Sequence, residues 1–188
     1  MSIKVAEEWL NACSGCEIAI VDLGERLLDI LNLVDFVHMP VIMDHKLYGQ
    51  LGDQKHIHIP EADVGILTGG IRNEEHLEVA LEMRKKCNLI IALGTCATHG
   101  GIPALANSWT PGEMMERVFT TETTDQPAAY PAEGVPPLLE SCYAVDEKIK
   151  VDIYLPGCPP SADAIWFTLT ELLAGRMPDL KGKNLDWH

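Results

Sequence analysis

Four cysteines in three motifs carry the chemistry that this sequence suggests. The motifs are Cys13-Ser14-Gly15-Cys16, Gly94-Thr95-Cys96 and Pro156-Gly157-Cys158-Pro159-Pro160. Cysteine thiolates are soft ligands that bind iron strongly, and a cubane of four irons has four corners to anchor. The sequence therefore predicts one 4Fe-4S cluster. Its predicted ligands are Cys13, Cys16, Cys96 and Cys158.

The residues around these cysteines suit a cluster loop. Gly15 lets the chain fold tightly between Cys13 and Cys16, because glycine adopts backbone angles that other residues resist. Cys16 and Cys158 each stand just before a predicted helix, whose N–H groups and dipole stabilise negative charge on the thiolates. A pair of prolines stiffens the last loop and helps to keep water away.

Other uses of the four cysteines stay open at this point. Cys13 and Cys16 have the spacing of a thioredoxin-like redox pair, but that pair would leave Cys96 and Cys158 without a purpose. A single zinc ion could take four thiolates, although its usual pattern of two Cys pairs is absent. Cys96 or Cys158 alone could be a buried core cysteine, which does not explain their shared setting among glycines and prolines.

The other two cysteines and the loop histidines are not predicted to bind a metal. Cys87 and Cys142 are predicted to pack in the interior. His45, His56 and His58 lie in a polar segment, where solvated histidines are more common than a second metal site.

Two residues next to the motifs have more than one reading. Glu17 directly follows Cys16 and could carry protons, or it could interact with the dipole of its own helix, which we favour. His99 is expected to form a hydrogen bond or to be exposed rather than to bind a metal.

Composition limits the partners. The 188 residues include 14 Lys plus Arg against 28 Asp plus Glu, a formal charge of -14. This charge repels polyphosphate backbones and anionic membranes, so no nucleic-acid partner is expected. No apolar stretch approaches the roughly 20 residues that span a bilayer. The first residues do not read as an export signal. We therefore expect a cytoplasmic protein without direct membrane insertion, whose cysteines stay reduced.

The pattern of apolar residues predicts alternating strands and helices. Strands are predicted at 3–10, 35–43, 62–68, 88–93 and 151–155. Helices are predicted from residue 17 to about 31, after a cap at Asn73, around 112–119, and after a cap at Ser161. The segment 44–60 is predicted to be a surface excursion with a short hairpin, and 120–145 is left unassigned.

These elements predict an α/β fold, a doubly wound parallel sheet of flavodoxin-like type with a loop-rich C-terminal half. The length suits a single flavodoxin-like iron-sulfur domain over residues 1–188, with a C-terminal tail at 175–188. Because ligands bind at the carboxyl ends of strands in such sheets, the fold would bring the cysteine motifs to one edge.

The same motifs resemble the small subunit of nickel-iron hydrogenases. The matching segments are Cys13-Ser14-Gly15-Cys16-Glu17, Gly94-Thr95-Cys96-Ala97 with Gly100-Gly101-Ile102, and Pro156-Gly157-Cys158-Pro159-Pro160. In that family the four cysteines of these motifs bind the proximal 4Fe-4S cluster. The cluster receives electrons from a nickel-iron centre in a separate large subunit. The resemblance implies the same ligands and the same partner here.

The quinone-side iron-sulfur subunit of respiratory complex I is related, but two positions favour a hydrogenase. That subunit typically has adjacent cysteines in its first motif and an arginine after the double proline. Here two residues separate Cys13 from Cys16, and Ser161 follows Pro160. A short chain with one cysteine set resembles the soluble, bidirectional, cytoplasmic group, which serves NAD(P), coenzyme F420 or heterodisulfide reductase partners.

The resemblance implies a division of labour. Dihydrogen would be split in the large subunit, and this chain would carry electrons toward a diaphorase or another iron-sulfur subunit without being catalytic in isolation. A flavodoxin-like scaffold could also hold FMN, but no residue establishes a flavin site. The alternative function is a free-standing iron-sulfur electron carrier or a complex I-like quinone-side subunit.

Overall fold

The computed structural model of the protein describes residues 2–45, 57–121, 129–131 and 133–182. In these residues the strands β1 to β7 are Ile3–Trp9, Val34–His38, Ala62–Thr68, Ile71–Asn73, Cys87–Leu93, Leu138–Tyr143 and Ile153–Leu155. The helices α1 to α6 are Gly15–Val21, Glu25–Leu31, Glu74–Lys86, Thr95–His99, Pro111–Glu116 and Ala162–Leu173. Short 3-10 turns lie at Pro103–Ser108 and Val145–Glu147, and a π turn lies at Arg117–Thr121.

Five of the strands form one parallel sheet in the order β2-β1-β3-β5-β7. If only these five are counted along the chain, the order reads 2-1-3-4-5, which is the flavodoxin order. The short strands β4 and β6 pair separately as an antiparallel ribbon. The predicted fold class, a doubly wound parallel sheet, is therefore confirmed.

Helices cover both faces of the sheet. Residues of α1, α2 and α6 form one apolar cluster with one face of the strands, and residues of α3 and α4 form a second cluster on the opposite face. The second half of β5 is apolar on both faces, as expected for a strand buried between two helical layers. In β5, four consecutive residues from Ile90 to Leu93 are at most 2% exposed.

The helix caps agree with the sequence. The Asn73 side chain accepts a hydrogen bond from the His76 N–H at 2.7 Å, and the Ser161 hydroxyl accepts one from the Ala164 N–H at 3.2 Å. Each cap satisfies a helical N–H group that has no partner inside the helix.

The predicted helix from residue 17 to about 31 is wrong in one respect, because the chain forms two helices there. Gly24 has a φ of 61°, a left-handed conformation that separates α1 from α2. The break changes which residues face the sheet. Ile30 is buried, whereas Leu28 and Leu31 are 62% and 42% exposed, although a single amphipathic helix would have placed them on the apolar face.

Several predicted boundaries also move. The strand β2 ends at His38, before Pro40, because proline cannot donate to a ladder. The helix predicted around 112–119 is α5 followed by the π turn. The strand β6 lies in the stretch that the sequence left unassigned. The predicted hairpin in 44–60 falls largely on residues 46–56, which lie outside the described residues.

One carboxylate anchors the start of the last strand. Asp152 accepts hydrogen bonds from the Ile90 N–H at 2.9 Å and from Arg84 at 2.6 Å, and Lys150 lies 3.0 Å away. Burial opposes the ionisation of Asp152, but the hydrogen bonds and positive charges of these partners outweigh burial and lower the pKa of Asp152 from 3.8 to about 2. The interaction fixes β7, and β7 leads directly into the loop of Cys158.

We predict that Asp152→Asn destabilises the protein by about 1–2 kcal/mol at pH 7, since a pKa shift of one unit corresponds to about 1.4 kcal/mol. A lowered pKa in the folded state gives stability that is present above pH 3.8 and is lost as pH falls toward about 2. Urea unfolding of both proteins between pH 7 and pH 2 measures this.

Asp163→Asn is the matched control, because Asp163 also pairs with an arginine, Arg26, at 2.7 Å but is 85% exposed in its side chain. An exposed pair contributes little. Two results would contradict the role given to Asp152. One is an equal loss of unfolding free energy in the two variants. The other is a difference in unfolding free energy between Asp152→Asn and the wild type that does not change with pH.

Candidate cluster site

The strand ends that precede the cysteine loops stand at one level. Residues paired across four neighbouring strands form a single row at the carboxyl edge: Trp9, Thr68, Leu93 and Leu155. Each of these four residues is the last residue of its strand. Three of these strands, β1, β5 and β7, lead into the loops that carry the cysteines, so those loops begin at the same level of the sheet.

The structure brings all four predicted ligands to this edge. Cys13 and Cys16 follow β1, Cys96 lies in the first turn of α4 after β5, and Cys158 follows β7. Burial raises the pKa of Cys16 to about 12, and Glu17 and the other three cysteines act in the same direction by their negative charge. Burial also raises the pKa of Cys96, with added effects of Cys158 and Cys13. The charges of Cys13, Cys96 and Cys158 thus all act on the Cys16 thiol.

Backbone hydrogen bonds tie the cysteine loops together. The Thr95 N–H donates to the Gly157 carbonyl at 2.7 Å, and the Gly157 N–H donates to the Thr95 hydroxyl at 3.2 Å. On the other side, Asn11 and Gly70 exchange hydrogen bonds in both directions at 3.0 and 3.1 Å. The first pair of contacts joins the Cys96 and Cys158 loops, and the second joins the Cys13 loop to the segment after β3.

Glycines leave the space that the sulfur atoms occupy. A Cβ atom at Gly94 would lie 2.3 Å from the Cys16 Sγ, far inside contact distance, and Gly94 has a φ of 87°. A Cβ atom at Gly101 would lie 3.0 Å from the Cys96 Sγ. At these two positions glycine is needed both for the backbone conformation and for room beside the thiol.

The chemistry of the donor set fits an iron-sulfur cluster. Thiolates are the ligands that hold such clusters, and four cysteines would supply one thiolate for each of four irons. A zinc ion also accepts thiolates, and it requires all of them at about 2.3 Å. Among the described residues, no three His, Cys, Asp or Glu side chains are close enough together to hold one metal ion.

Exposed apolar side chains lie in the chain segment that follows Cys96. Cys13 and Cys158 are exposed, and Cys16 and Cys96 are partly buried. The Ile102 backbone hydrogen-bonds to Cys96, and the Ile102 side chain is 67% exposed. Leu105 and Trp109, in the 3-10 turn beyond Ile102 and just after it, are also exposed. We call Ile102, Leu105 and Trp109 the apolar rim.

Cys87 and Cys142 are both buried, as expected for packing residues. Cys87 packs against Gly65 in the core, and burial raises the pKa of its thiol to about 11. Cys142 lies closer to the candidate site than the sequence indicated, because it packs against Gly70 and its pKa responds to the charge of Cys96.

The histidines take the simpler roles. His99 is exposed and forms a hydrogen bond with Thr98 at 2.7 Å. His45 accepts a hydrogen bond from the Met39 N–H at 3.0 Å and stacks on His38. His56 lies outside the described residues, so the metal site considered at His45, His56 and His58 stays untested.

Glu17 lies in the first turn of α1, where an acidic side chain interacts favourably with the helix dipole. It is 1% exposed and accepts a hydrogen bond from the Thr68 hydroxyl. Two further buried carboxyl groups belong to β1: Glu7 is fully buried, and Glu8 contacts the buried His38. Neither Glu7 nor Glu8 was predicted from the sequence. Two adjacent glutamates inside an otherwise buried strand were the available signal.

Comparison with known proteins connects this site to a family. A family model described as NADH ubiquinone oxidoreductase, 20 Kd subunit, matches residues 13–172, which include all four cysteines of the site. The chain belongs to this family. The matched segment covers most of the chain and includes every strand of the parallel sheet except β1, so the membership does not rest on one motif.

Similar proteins are hydrogenase subunits. The chain is 39% identical over 185 residues to a subunit of the F420-non-reducing hydrogenase of Methanothermobacter marburgensis, covering 97% of this chain and 57% of that protein. It is 33% identical to the delta subunit of the NAD-reducing hydrogenase HoxS of Cupriavidus necator, covering 95% of this chain and 82% of that protein. The chain thus spans little more than half of the first relative.

Solved structures agree. The crystal structure of an NAD+-reducing [NiFe]-hydrogenase in the H2-reduced state contains a chain with a TM-score of 0.87 and 33% identity, with full coverage of both chains. A chain of the Ni-Fe-Se hydrogenase of Desulfomicrobium baculatum shares the fold, with a TM-score of 0.62 and 20% identity over 98% of this chain and 69% of that one. The predicted resemblance to hydrogenase small subunits is confirmed.

In the described residues, no helix combines the length and the apolar character needed to cross a bilayer.

We predict that Gly94→Ala lowers the iron content of the anaerobically purified protein severalfold, because the new Cβ would displace the Cys16 sulfur. Gly175→Ala is the matched control: Gly175 also has a positive φ, 72°, but nothing lies within 4 Å of its Cβ position. Iron and acid-labile sulfide analysis measures the effect. Equal iron in the Gly94→Ala variant and the wild type would show that this glycine leaves no essential space.

Proposed function

We propose that this protein is the electron-transfer small subunit of a nickel-iron hydrogenase, and that Cys13, Cys16, Cys96 and Cys158 hold one proximal 4Fe-4S cluster. The observation that supports the proposal is the row of strand ends, because β1, β5 and β7 lead from it into the loops of the four cysteines. All four cysteines also lie within the residues that the family model matches. The whole of residues 1–188, with a tail at 175–188, is proposed as a single flavodoxin-like iron-sulfur domain.

The partner proposed at the site is a hydrogenase large subunit that holds the nickel-iron centre. The apolar rim next to Cys96 supports this, since exposed apolar and aromatic side chains favour a protein contact. A cluster bound here would accept and release single electrons. The residues of the chain would hold it, keep its sulfur ligands in place and cover part of it from water.

The second proposed partner receives the electrons. A diaphorase or another iron-sulfur subunit fits, because the names of similar proteins include an NAD-reducing hydrogenase and F420-non-reducing hydrogenases. The final acceptor, whether NAD(P), F420 or heterodisulfide reductase, follows from that subunit. No described residue supports an FMN site. We place the protein in the cytoplasm, where its six free cysteines would stay reduced.

We predict that Cys158→Ser lowers iron content severalfold and abolishes hydrogen-dependent electron transfer through the complex, because an alcohol is a poor ligand for iron. Cys142→Ser is the control, since Cys142 also lies near Cys96 but is buried and is not a proposed ligand. Iron analysis and coupled activity are the measurements. Full iron and activity in the Cys158→Ser variant would remove Cys158 from the ligand set.

Purification of the tagged protein from its native cells, followed by metal analysis, tests the function itself. Nickel and a large subunit that copurify with iron are expected. A stable single chain that contains iron but no nickel partner would instead identify a free-standing electron carrier, and nickel-free copurification with quinone-reducing subunits would indicate the complex I-like alternative.

A further inference from the structure

Arg72 of β4 is a buried cation without an acidic partner. The residue is 7% exposed. Its guanidinium donates a hydrogen bond to the Leu139 carbonyl at 3.3 Å and contacts the Met114 sulfur at 3.7 Å, and both of these acceptors are uncharged. Among the described residues, no carboxylate forms an ion pair with Arg72. Because an arginine side chain keeps its proton in a protein, the positive charge is permanent.

The other arginines with printed partners are treated differently by the fold. Arg26, Arg84 and Arg176 each pair with a carboxylate at 2.5 to 2.7 Å, and none of the three is buried. The chain also has 28 Asp plus Glu against 14 Lys plus Arg, so carboxylates are abundant. An unpaired charge inside a protein is strongly unfavourable. We therefore looked for an anion that the neighbourhood of Arg72 would bind.

Arg72 lies on the side of the β4–β6 ribbon that faces the candidate cluster site. Gly70 and Arg72 are two positions apart in an extended segment, so their side-chain directions point to the same face, about 7 Å apart. A Cβ atom at Gly70 would lie 2.7 Å from the Cys142 Sγ and 3.7 Å from the Cys96 carbonyl oxygen. The Arg72 charge also interacts with the Cys142 thiol. The unpaired cation thus stands close behind the loop of Cys96.

We propose that Arg72 is the buried countercharge of the 4Fe-4S cluster and raises its reduction potential. This inference rests on the proposed function, because the four cysteines would hold the anion that Arg72 balances. Direct contact is not required, since a charge acts over several Å where little water screens it.

The sign of the effect follows from the charge of the cluster. Four thiolate ligands give such a cluster a net negative charge, and reduction adds one more negative charge. A fixed positive charge stabilises the reduced state more than the oxidised state, because the attraction grows with the negative charge. The potential is therefore expected to be higher with Arg72 than with a neutral residue at this position.

Midpoint potentials of the cluster in the assembled complex, from redox titrations followed by EPR, test this effect. Arg72→Gln removes the charge but keeps hydrogen-bond donors, so its potential is expected to fall below that of the wild type. Arg72→Lys keeps the charge and is expected to recover most of the difference. Equal potentials in Arg72→Gln and the wild type would overturn the proposal.

Lys148→Gln is the matched control, because it removes a positive charge from the opposite face of the same ribbon. Lys148 Nζ lies 3.5 Å from the centre of the Tyr143 ring, and Tyr143 pairs with Ile71, the neighbour of Arg72 in β4. The potential of this variant is expected to stay near that of the wild type. A fall as large as that of Arg72→Gln would mean that the potential responds to net charge alone, and would overturn the proposal.

Thermal unfolding of the full chain with and without iron separates a countercharge from a structural contact. The loss of stability caused by Arg72→Met is expected to be larger in the iron-loaded chain than in the iron-free chain, because only the loaded chain contains the anion. Equal losses in the two forms would mean that Arg72 only holds Leu139 and Met114 in place, and would overturn the proposal.

A carboxylate of a partner subunit is the other anion that could balance Arg72. In that case Arg72→Gln would weaken binding of that subunit and leave the potential unchanged, which would overturn the proposal. Iron content distinguishes the two levels of failure. A wild type without iron would refute the proposed function, whereas an iron-loaded wild type whose potential does not depend on Arg72 would refute the countercharge alone.

Discussion

The shared level of four strand ends is the constraint on which the candidate site depends. Backbone pairing places Trp9, Thr68, Leu93 and Leu155 in one row, and each loop leaves the sheet from that row. Pairing in a parallel sheet is set by the buried faces, since a shift of one residue would turn each side chain to the opposite face. The apolar cores on both faces therefore also determine where the cysteines lie, although no cysteine of the site takes part in the pairing.

The parts of the structure that repeat a strong local pattern could be predicted from the sequence. The strand Cys87–Leu93 is continuously apolar, and the caps Asn73 and Ser161 mark their helices by residue type. The position of the four cysteines at the carboxyl edge could be predicted because each motif follows an apolar strand; their role as ligands stays a prediction. The predictions that failed depend on distant contacts. Gly24 reads equally as a helix interior or a break, and β6 exists only because β4 pairs with it.

The burial of the carboxyl groups also could not be predicted from the sequence, because it depends on distant contacts. Alternation along a strand cannot tell whether a glutamate faces water or the inside of the protein, because this depends on which helix covers that face. Here α1 supplies Glu17 as the neighbour of Glu7. A chain with a formal charge of -14 thus also buries acidic groups at its centre, which natural proteins rarely do without a partner for each charge.

The hydrogen bonds between Thr95 and Gly157, and between Asn11 and Gly70, involve protein atoms alone. These hydrogen bonds restrict the backbone of the loops, so the cluster proposed above would leave less chain freedom to be lost on binding. Because ordering a residue costs roughly 1–2 kcal/mol, such preorganisation would leave more of the iron-thiolate bond energy for affinity.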